Sequence, residues 1–237
     1  MTQPGKPARA VLFDIDGTLV DSNYLHVQAW SEAFGDIGAP VDTWRIHRAI
    51  GMDSGKMLEA LLGDRSAQLG KRAQQAHGDR YAALAPRLRL FHQARELLST
   101  LDQRGLQVVL ATSAPQEELS RLLDLLGAQE WIAHVTSAED VESAKPEPDI
   151  VQVALRKAGV EPADALLVGD AVWDAESARR VGVGFVGLLS GGTSTDDLES
   201  AGALAVYDDV SALLADLGDS PLAGLIDGLT DPQGDRA

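Results

Sequence analysis

Residues 10–22, Ala-Val-Leu-Phe-Asp-Ile-Asp-Gly-Thr-Leu-Val-Asp-Ser, set two carboxylates two positions apart at the end of an apolar run. An apolar run without alternation reads as a strand buried on both faces, and its polar end as the rim of a sheet. A strand continuing through Asp16 puts Asp14 and Asp16 on one face, because strand side chains alternate. Two carboxylates held that close repel, so the pair calls for a cation, a shared proton or chemistry that uses both. Gly17 removes a side chain where backbone has to approach a ligand. Thr18 and Ser22 add hydroxyls just beyond it.

Three more groups offer complementary chemistry. Thr112-Ser113 closes the apolar run 106–111 with a hydroxyl and a backbone N–H suited to phosphate oxygens. Lys145 precedes Pro-Glu-Pro, and Pro146 and Pro148 are expected to hold that segment extended and aim the ammonium. Asp170 closes the run 165–168, and Asp174 lies one turn into the helix that follows. Alone, each has an ordinary structural explanation: a helix start, a solvated lysine, a cap. Their order is harder to dismiss, since each falls at or beside the carboxyl end of a strand.

The elements that must position these residues follow from periodicity. Residues 24–85 read as four helices: Tyr24–Phe34, Thr43–Ile50 behind Asp42, a helix from Asp53 or Ser54 to Leu62, and Ser66–Leu84 stopped by Pro86. From Phe91 onward strands and helices alternate. Helices are expected at 94–101, 115–126, 150–158, 171–181 and 210–217, with strands at 106–111, 131–135, 165–168, 183–188 and 204–206. Such alternation implies an α/β fold, a doubly wound and mainly parallel Rossmann-like sheet with ligands at the carboxyl ends of its strands. The expected organisation is a core of 1–19 and 91–217, a helical insert of 20–90 and a C-terminal tail of 218–237. The tail is expected to be peripheral, with Leu222–Leu229 able to form a short docking helix.

Composition narrows the function classes. The 237 residues carry a net charge of −16, which argues against nucleic acid or anionic membrane as a partner. No apolar run approaches the ~20 residues needed to cross a bilayer, and the first nine residues hold no signal-peptide core. The chain has no cysteine, so disulfides, thiolate zinc sites and a cysteine nucleophile are excluded. These features fit a cytoplasmic protein. Residues 20–90 contain nine Lys/Arg against eight Asp/Glu, so the excess negative charge lies elsewhere. A near-neutral insert is compatible with admitting a small anion and equally with uneven composition.

The series Asp-x-Asp-Gly-Thr, Thr, Lys-Pro and Gly-Asp-x-x-x-Asp resembles the haloacid dehalogenase superfamily, a group dominated by phosphatases. The resemblance spans about residues 10–215, and the insert resembles the cap of the subgroup containing phosphoglycolate phosphatase and beta-phosphoglucomutase. It implies a magnesium-dependent phosphatase acting on a small phosphorylated metabolite through an aspartyl phosphate. Asp14 is then the nucleophile and Asp16 the general acid/base. Thr112, Ser113 and Lys145 bind phosphate; Asp14, Asp16 and Asp170 bind Mg2+, with Asp174 supporting them from behind. Aspartate at position 16 favours phosphate esters, because relatives that cleave carbon–halogen or carbon–phosphorus bonds lack it.

Some positions depart from the family pattern. Ala171 stands where serine or threonine is frequent. The segment Ile50–Lys56 resembles a substrate-facing loop, yet shows no match to the arginine with which the mutase holds a second phosphate. Tyr24-Leu-His26 and Trp30 resemble that enzyme's hinge helix, which keeps a sugar-phosphate mutase as the alternative activity. A receiver-type switch is a third reading, disfavoured by chain length and by the helical insert. His26, Arg48 and Lys56 are the insert residues expected to meet the substrate, with hinges near Leu19–Ser22 and Pro86–Leu90. His47, His77, His92 and His134 read as surface or packing residues, and the four tryptophans as core. Which ester is cleaved is not written in the sequence, because selectivity depends on cap geometry.

Overall fold

β1 (Ala10–Phe13) has no solvent exposure at any position, which only a central strand covered on both sides can achieve. In the computed structural model, which describes residues 8–112, 114–141 and 145–230, β1 stops at Phe13 rather than continuing through Asp16. The chain turns there because the N–H groups of Thr18, Leu19 and Val20 all converge on the Ile15 carbonyl, at 3.2, 2.9 and 3.0 Å. Gly17 takes φ +76°, a conformation that costs glycine little and other residues more. Asp14 and Asp16 therefore do not share a strand face. The turn separates them.

After the turn, β2 (Val20–Asp21) leads into four helices: α1 (Asn23–Asp36), α2 (Thr43–Ala49), α3 (Ser54–Leu62) and α4 (Ser66–Leu84). Asp53 caps α3, its Oδ1 accepting from the Lys56 N–H at 3.1 Å, whereas Asp42 precedes α2 without a side-chain cap. The four helices bury an apolar cluster of their own, including Trp30, Phe34, Ile46, Met57 and Leu61. The chain returns through β3 (Arg89–Leu90), which pairs antiparallel with β2. This two-stranded ribbon occupies both crossings between insert and core. Two-residue strands carry no periodicity, and the sequence showed none there.

The remainder runs α5 (Ala94–Gln103), β4 (Gln107–Ala111), α6 (Gln116–Leu126), β5 (Ile132–Thr136), α7 (Asp149–Ala158), β6 (Ala165–Gly169), α8 (Val172–Val181), β7 (Gly184–Leu188), α9 (Thr195–Ala201), β8 (Ala203–Tyr207), α10 (Val210–Ala215) and α11 (Pro221–Thr230). Six strands form one parallel sheet in the order β5-β4-β1-β6-β7-β8. Alternate strand residues face opposite helical layers. Val11, Phe13, Val108 and Leu110 pack with α5, α6, α10 and α11, while Leu12, Val109 and Leu167 pack with α7, α8 and α9. That is the doubly wound arrangement expected from the alternation.

Two elements modify the expected outline. α9 lies in a Ser/Thr/Asp-rich stretch that reads as loop, and its anchor is one fully buried leucine, Leu198. α11 buries Leu222, Leu225 and Ile226 in the main core, and Arg9 donates to the Gly224 carbonyl at 2.9 Å. The start of the C-terminal segment is thus docked rather than peripheral.

Candidate active site

β1 and β6 are hydrogen-bonded neighbours with Phe13 opposite Val168, so the residues that leave their carboxyl ends meet. Asp14 leaves one strand and Asp170 the other. Asp174, in the first turn of α8, joins them, and oxygens of all three lie within 4.8 Å of one another. All three side chains are buried. The Lys145 ammonium, also buried, forms ion pairs with Asp14 and, at 2.7 Å, with Asp174. The turn that delivers it contains a cis Lys145–Pro146 peptide and is not extended as the prolines suggested.

One ammonium faces three carboxylates in this group. Burial pushes the Asp14 carboxyl up to about 7, resisted by Lys145 and reinforced by Asp174 and Asp16. Burial also raises Asp170 well above the usual carboxylate range, helped by Asp174 and Asp14 and opposed by hydrogen bonds from Thr18 and Asn23. For Lys145, burial works against the charged form, but Asp14 and Asp174 outweigh it and hold the pKa above the usual lysine value.

Asp170 is held in a tight cradle. Thr18 Oγ1 donates to it at 2.9 Å and Asn23 Nδ2 at 2.8 Å. A Cβ on Gly17 or on Gly191 would collide with the Asp170 carboxylate, so glycine at both positions lets backbone close around it. Asn23 also donates to the Gly191 carbonyl at 3.3 Å, tying the start of α1 to the loop after β7. Neither Asn23 nor Gly191 carried a motif signal, since their role exists only once α1 and that loop are adjacent.

The Asp16 carboxylate points elsewhere. It was expected among the magnesium ligands, but it accepts from Ser22 Oγ at 2.6 Å and lies 3.5 Å from His26 Nε2, outside the three-carboxylate group. The turn after β1 is the physical reason. Burial opposes ionisation of Asp16, yet the hydrogen bond and charge of His26, with the Ser22 hydroxyl, hold its pKa below the usual value. His26 Nε2 also lies 3.4 Å from Glu118 of α6. Burial lowers the His26 pKa, but Glu118 and Asp16 overcome it and raise it to about 10. His26 Nδ1 meets His77 Nε2 at 3.1 Å, and burial together with the His26 charge drops His77 to about 3.

These residues line a cavity of about 440 Å3 between the strand ends and the insert. From the core come Asp14, Asp16, Thr112, Lys145 and Glu118; from the insert come Trp30, Met52, Asp53, Met57, Gln74 and His77. Thr112 is buried and lines the cavity, and its Oγ1 accepts from the Ala114 N–H at 3.0 Å. Ser113, the other expected phosphate ligand, and Ser143 lie outside the described residues. Asp53 N–H donates to the Lys145 carbonyl at 2.7 Å, linking the insert to the loop that carries the lysine.

Of the three insert residues expected to meet the substrate, only His26 lines this cavity. Lys56 is ion-paired with Glu147, which also receives Arg180 at 2.6 Å. Arg48 is exposed, its guanidinium 6.0 Å from the Trp44 ring centre. A cation in the first turn of a helix reads as a ligand until its partner is visible, and the partner of Lys56 is 91 residues away in sequence. We therefore expect Lys56→Ala to leave relative kcat/KM values across a series of esters within about twofold, because ion pairs between half-exposed side chains contribute little. A selective loss on one ester would return Lys56 to the specificity surface. The tryptophan expectation shifts too. Trp44 departs, being 60% exposed instead of core, while His77 packs on Trp30 at 4.1 Å in the cavity lining and His47 Nε2 packs on the Gly191 carbonyl at 3.0 Å. Glu118, which the sequence did not single out, lines the cavity, as does His77.

Comparison with known proteins gives consistent results. A family model described as haloacid dehalogenase-like hydrolase matches residues 8–182. Phosphoglycolate phosphatase of Rhodospirillum rubrum is 32% identical over 215 residues, covering 86% of this chain and 89% of that protein. Validoxylamine A 7'-phosphate phosphatase of Streptomyces hygroscopicus subsp. limoneus is 32% identical over 213 residues, covering 88% and 94%. The crystal structure of a hydrolase from Pseudomonas syringae superposes with a TM-score of 0.84 at 38% identity, covering 89% of this chain and 98% of that one.

Proposed function

The chain belongs to the haloacid dehalogenase-like hydrolases and is a phosphatase of that family, and from that premise we propose that it hydrolyses small phosphate monoesters with magnesium, through an aspartyl phosphate on Asp14. One observation carries this reading. Asp14 is ion-paired with Lys145 beside Asp170 and Asp174, while Asp16 is held apart on His26, so two neighbouring carboxylates have environments that suit different tasks. Both relatives above are named for phosphate esters of small molecules, which supports the same class here.

The donor set fits a hard divalent cation. Three buried carboxylates share a single ammonium, and burial raises both Asp14 and Asp170, so the group favours added positive charge with oxygen ligands. Asp14 and Asp170 would hold magnesium, with Asp174 occupied behind them by Lys145 and by the Ala171 N–H at 3.1 Å. When bound, the ion would offset the negative charge of the phosphoryl oxygens and fix their orientation.

The remaining steps belong to the chain's own residues. An Asp14 oxygen bonds to phosphorus as the ester P–O bond breaks, and Asp16 gives its proton to the departing oxygen. Water then attacks phosphorus, Asp16 takes its proton, and phosphate leaves with Asp14 restored. His26 holds Asp16 ionised, the form that accepts a proton from water. A phosphoryl dianion arriving beside Asp16 pushes in the opposite sense, toward the acid form that protonates the leaving oxygen. The Thr112 hydroxyl and the Lys145 ammonium, both in the cavity lining, would bind phosphoryl oxygens.

We read residues 20–90 as a cap that closes over the strand ends and reopens for product release, with the β2–β3 ribbon at its hinge. A sugar-phosphate mutase has to hold a second phosphate, and Lys145 is the only lysine or arginine among the described residues lining the cavity. Hydrolysis is therefore the activity the site favours. No helix among the described residues is long and apolar enough to cross a membrane. We assign the enzyme to the cytoplasm, where small phosphorylated metabolites are its partners.

The metal assignment is tested at Asp170. Asp170→Asn keeps an oxygen for Thr18 but replaces a full charge with a dipole, so the magnesium concentration giving half-maximal activity should rise by about tenfold or more. Titrating magnesium against turnover measures this directly. An unchanged midpoint would reduce Asp170 to a structural role at the start of α8.

A further inference from the structure

The charges around the cavity are unevenly distributed, and the leaving-group side is informative. On the phosphoryl side, Lys145 and the carboxylate cluster deal with phosphate and metal. The rest of the lining includes Asp53 of the insert, whose N–H meets the Lys145 carbonyl, with Met52, Met57 and the ring of Trp30, and Glu118 of α6 beside His26. The two insert cations expected to face the substrate are elsewhere, Lys56 on Glu147 and Arg48 outside the cavity lining beside Trp44. His26 is bracketed by Asp16 and Glu118, so its one positive charge is already matched by two negative ones. His77 is held neutral beside it. The internal residues outside the described set, Ser113 and Glu142–Ala144, contain no lysine or arginine.

A second anion on the leaving group would therefore enter a cavity lined by Asp53 and Glu118, with no lysine or arginine besides Lys145 among the described residues lining it. Like charge in such a place discriminates by repulsion as effectively as a new contact does by attraction. Hydroxyl or ammonium groups meet the opposite situation. Asp53 and Glu118 are acceptors, and Gln74 and Ser54, joined at 2.9 Å, offer further polar atoms at the rim. Building on the phosphatase reading, we infer that the preferred substrates are phosphate monoesters whose leaving group bears hydroxyl or amino groups and no second anion, with Asp53 and Glu118 excluding carboxylates and second phosphates.

Three esters of nearly equal size and different terminal charge test this: 2-hydroxyethyl phosphate, O-phosphoethanolamine and 2-phosphoglycolate. Their kcat/KM values are measured with magnesium on the full chain, alongside p-nitrophenyl phosphate. The neutral and cationic esters should exceed 2-phosphoglycolate by about tenfold or more, equivalent to about 1.4 kcal/mol. Asp53→Asn keeps an oxygen to cap α3 and removes the charge, so it should narrow that ratio by roughly threefold or more. Hydrolysis of 2-phosphoglycolate as fast as the other two would overturn the inference while leaving the phosphatase intact. An unchanged ratio in Asp53→Asn would overturn the assignment of Asp53. Failure to cleave any of the four esters would instead remove the phosphatase reading on which the inference rests.

Discussion

Asp14→Asn should lose more than about a hundredfold in turnover and still fold, because an amide cannot supply the attacking oxygen of a covalent mechanism. The structure explains why the fold should survive. Lys145 keeps Asp174 at 2.7 Å, and the substitution removes one of three mutually repelling buried carboxylates. The thermal midpoint without magnesium is expected to match or exceed that of the parent protein. The pH dependence has a definite sign. A carboxyl raised from 3.8 to about 7 makes the folded state progressively less stable as pH rises between those values. The stabilisation by Asp14→Asn should therefore grow across that window and level off above about 7. Retention of more than about a hundredth of the parent activity would contradict the nucleophile assignment. A lower midpoint would mean that the Asp14–Lys145 pair is required for folding.

Asp16→Asn should slow alkyl ester hydrolysis by ~10² to 10⁴, the usual range for a positioned acid–base group. The loss should be smaller on p-nitrophenyl phosphate in the first step, since nitrophenolate departs without a proton. Equal rates for parent and variant on a poor leaving group would remove the acid–base role. His26 supplies a second readout. Its pKa is raised from 6.5 to about 10, so its contribution to stability is complete below about 6.5 and disappears as pH climbs toward 10. Removing the Asp16 charge leaves Glu118 as its remaining carboxylate partner, and the His26 titration should move to lower pH. An NMR titration of the imidazole measures that shift. No shift would mean that Asp16 and His26 are uncoupled in solution.

Much of the core was legible in the sequence because strands buried on both faces are written as unbroken apolar runs, and their polar ends fall where ligands bind. Val108–Ala111 and Ala165–Gly169 announce themselves in this way. α9 does not, since one buried leucine in a Ser/Asp-rich stretch gives no period to read. The β2–β3 ribbon is too short to show one.

The site divides along the same line. Asp14, Thr112, Lys145 and Asp170 are each fixed by a strand end or by the loop next to it, so local sequence and the parallel order of the sheet bring them to one place. The tertiary structure decided the partners. It turned the Asp16 carboxylate from the Asp14–Asp170–Asp174 group toward Ser22 and His26, brought Glu118 of α6 against a histidine of α1, and satisfied Lys56 with Glu147. Local chemistry is carried by adjacent residues and survives in a linear reading. Charge pairing across 91 or more residues depends on how the insert packs against the core, which no local pattern encodes.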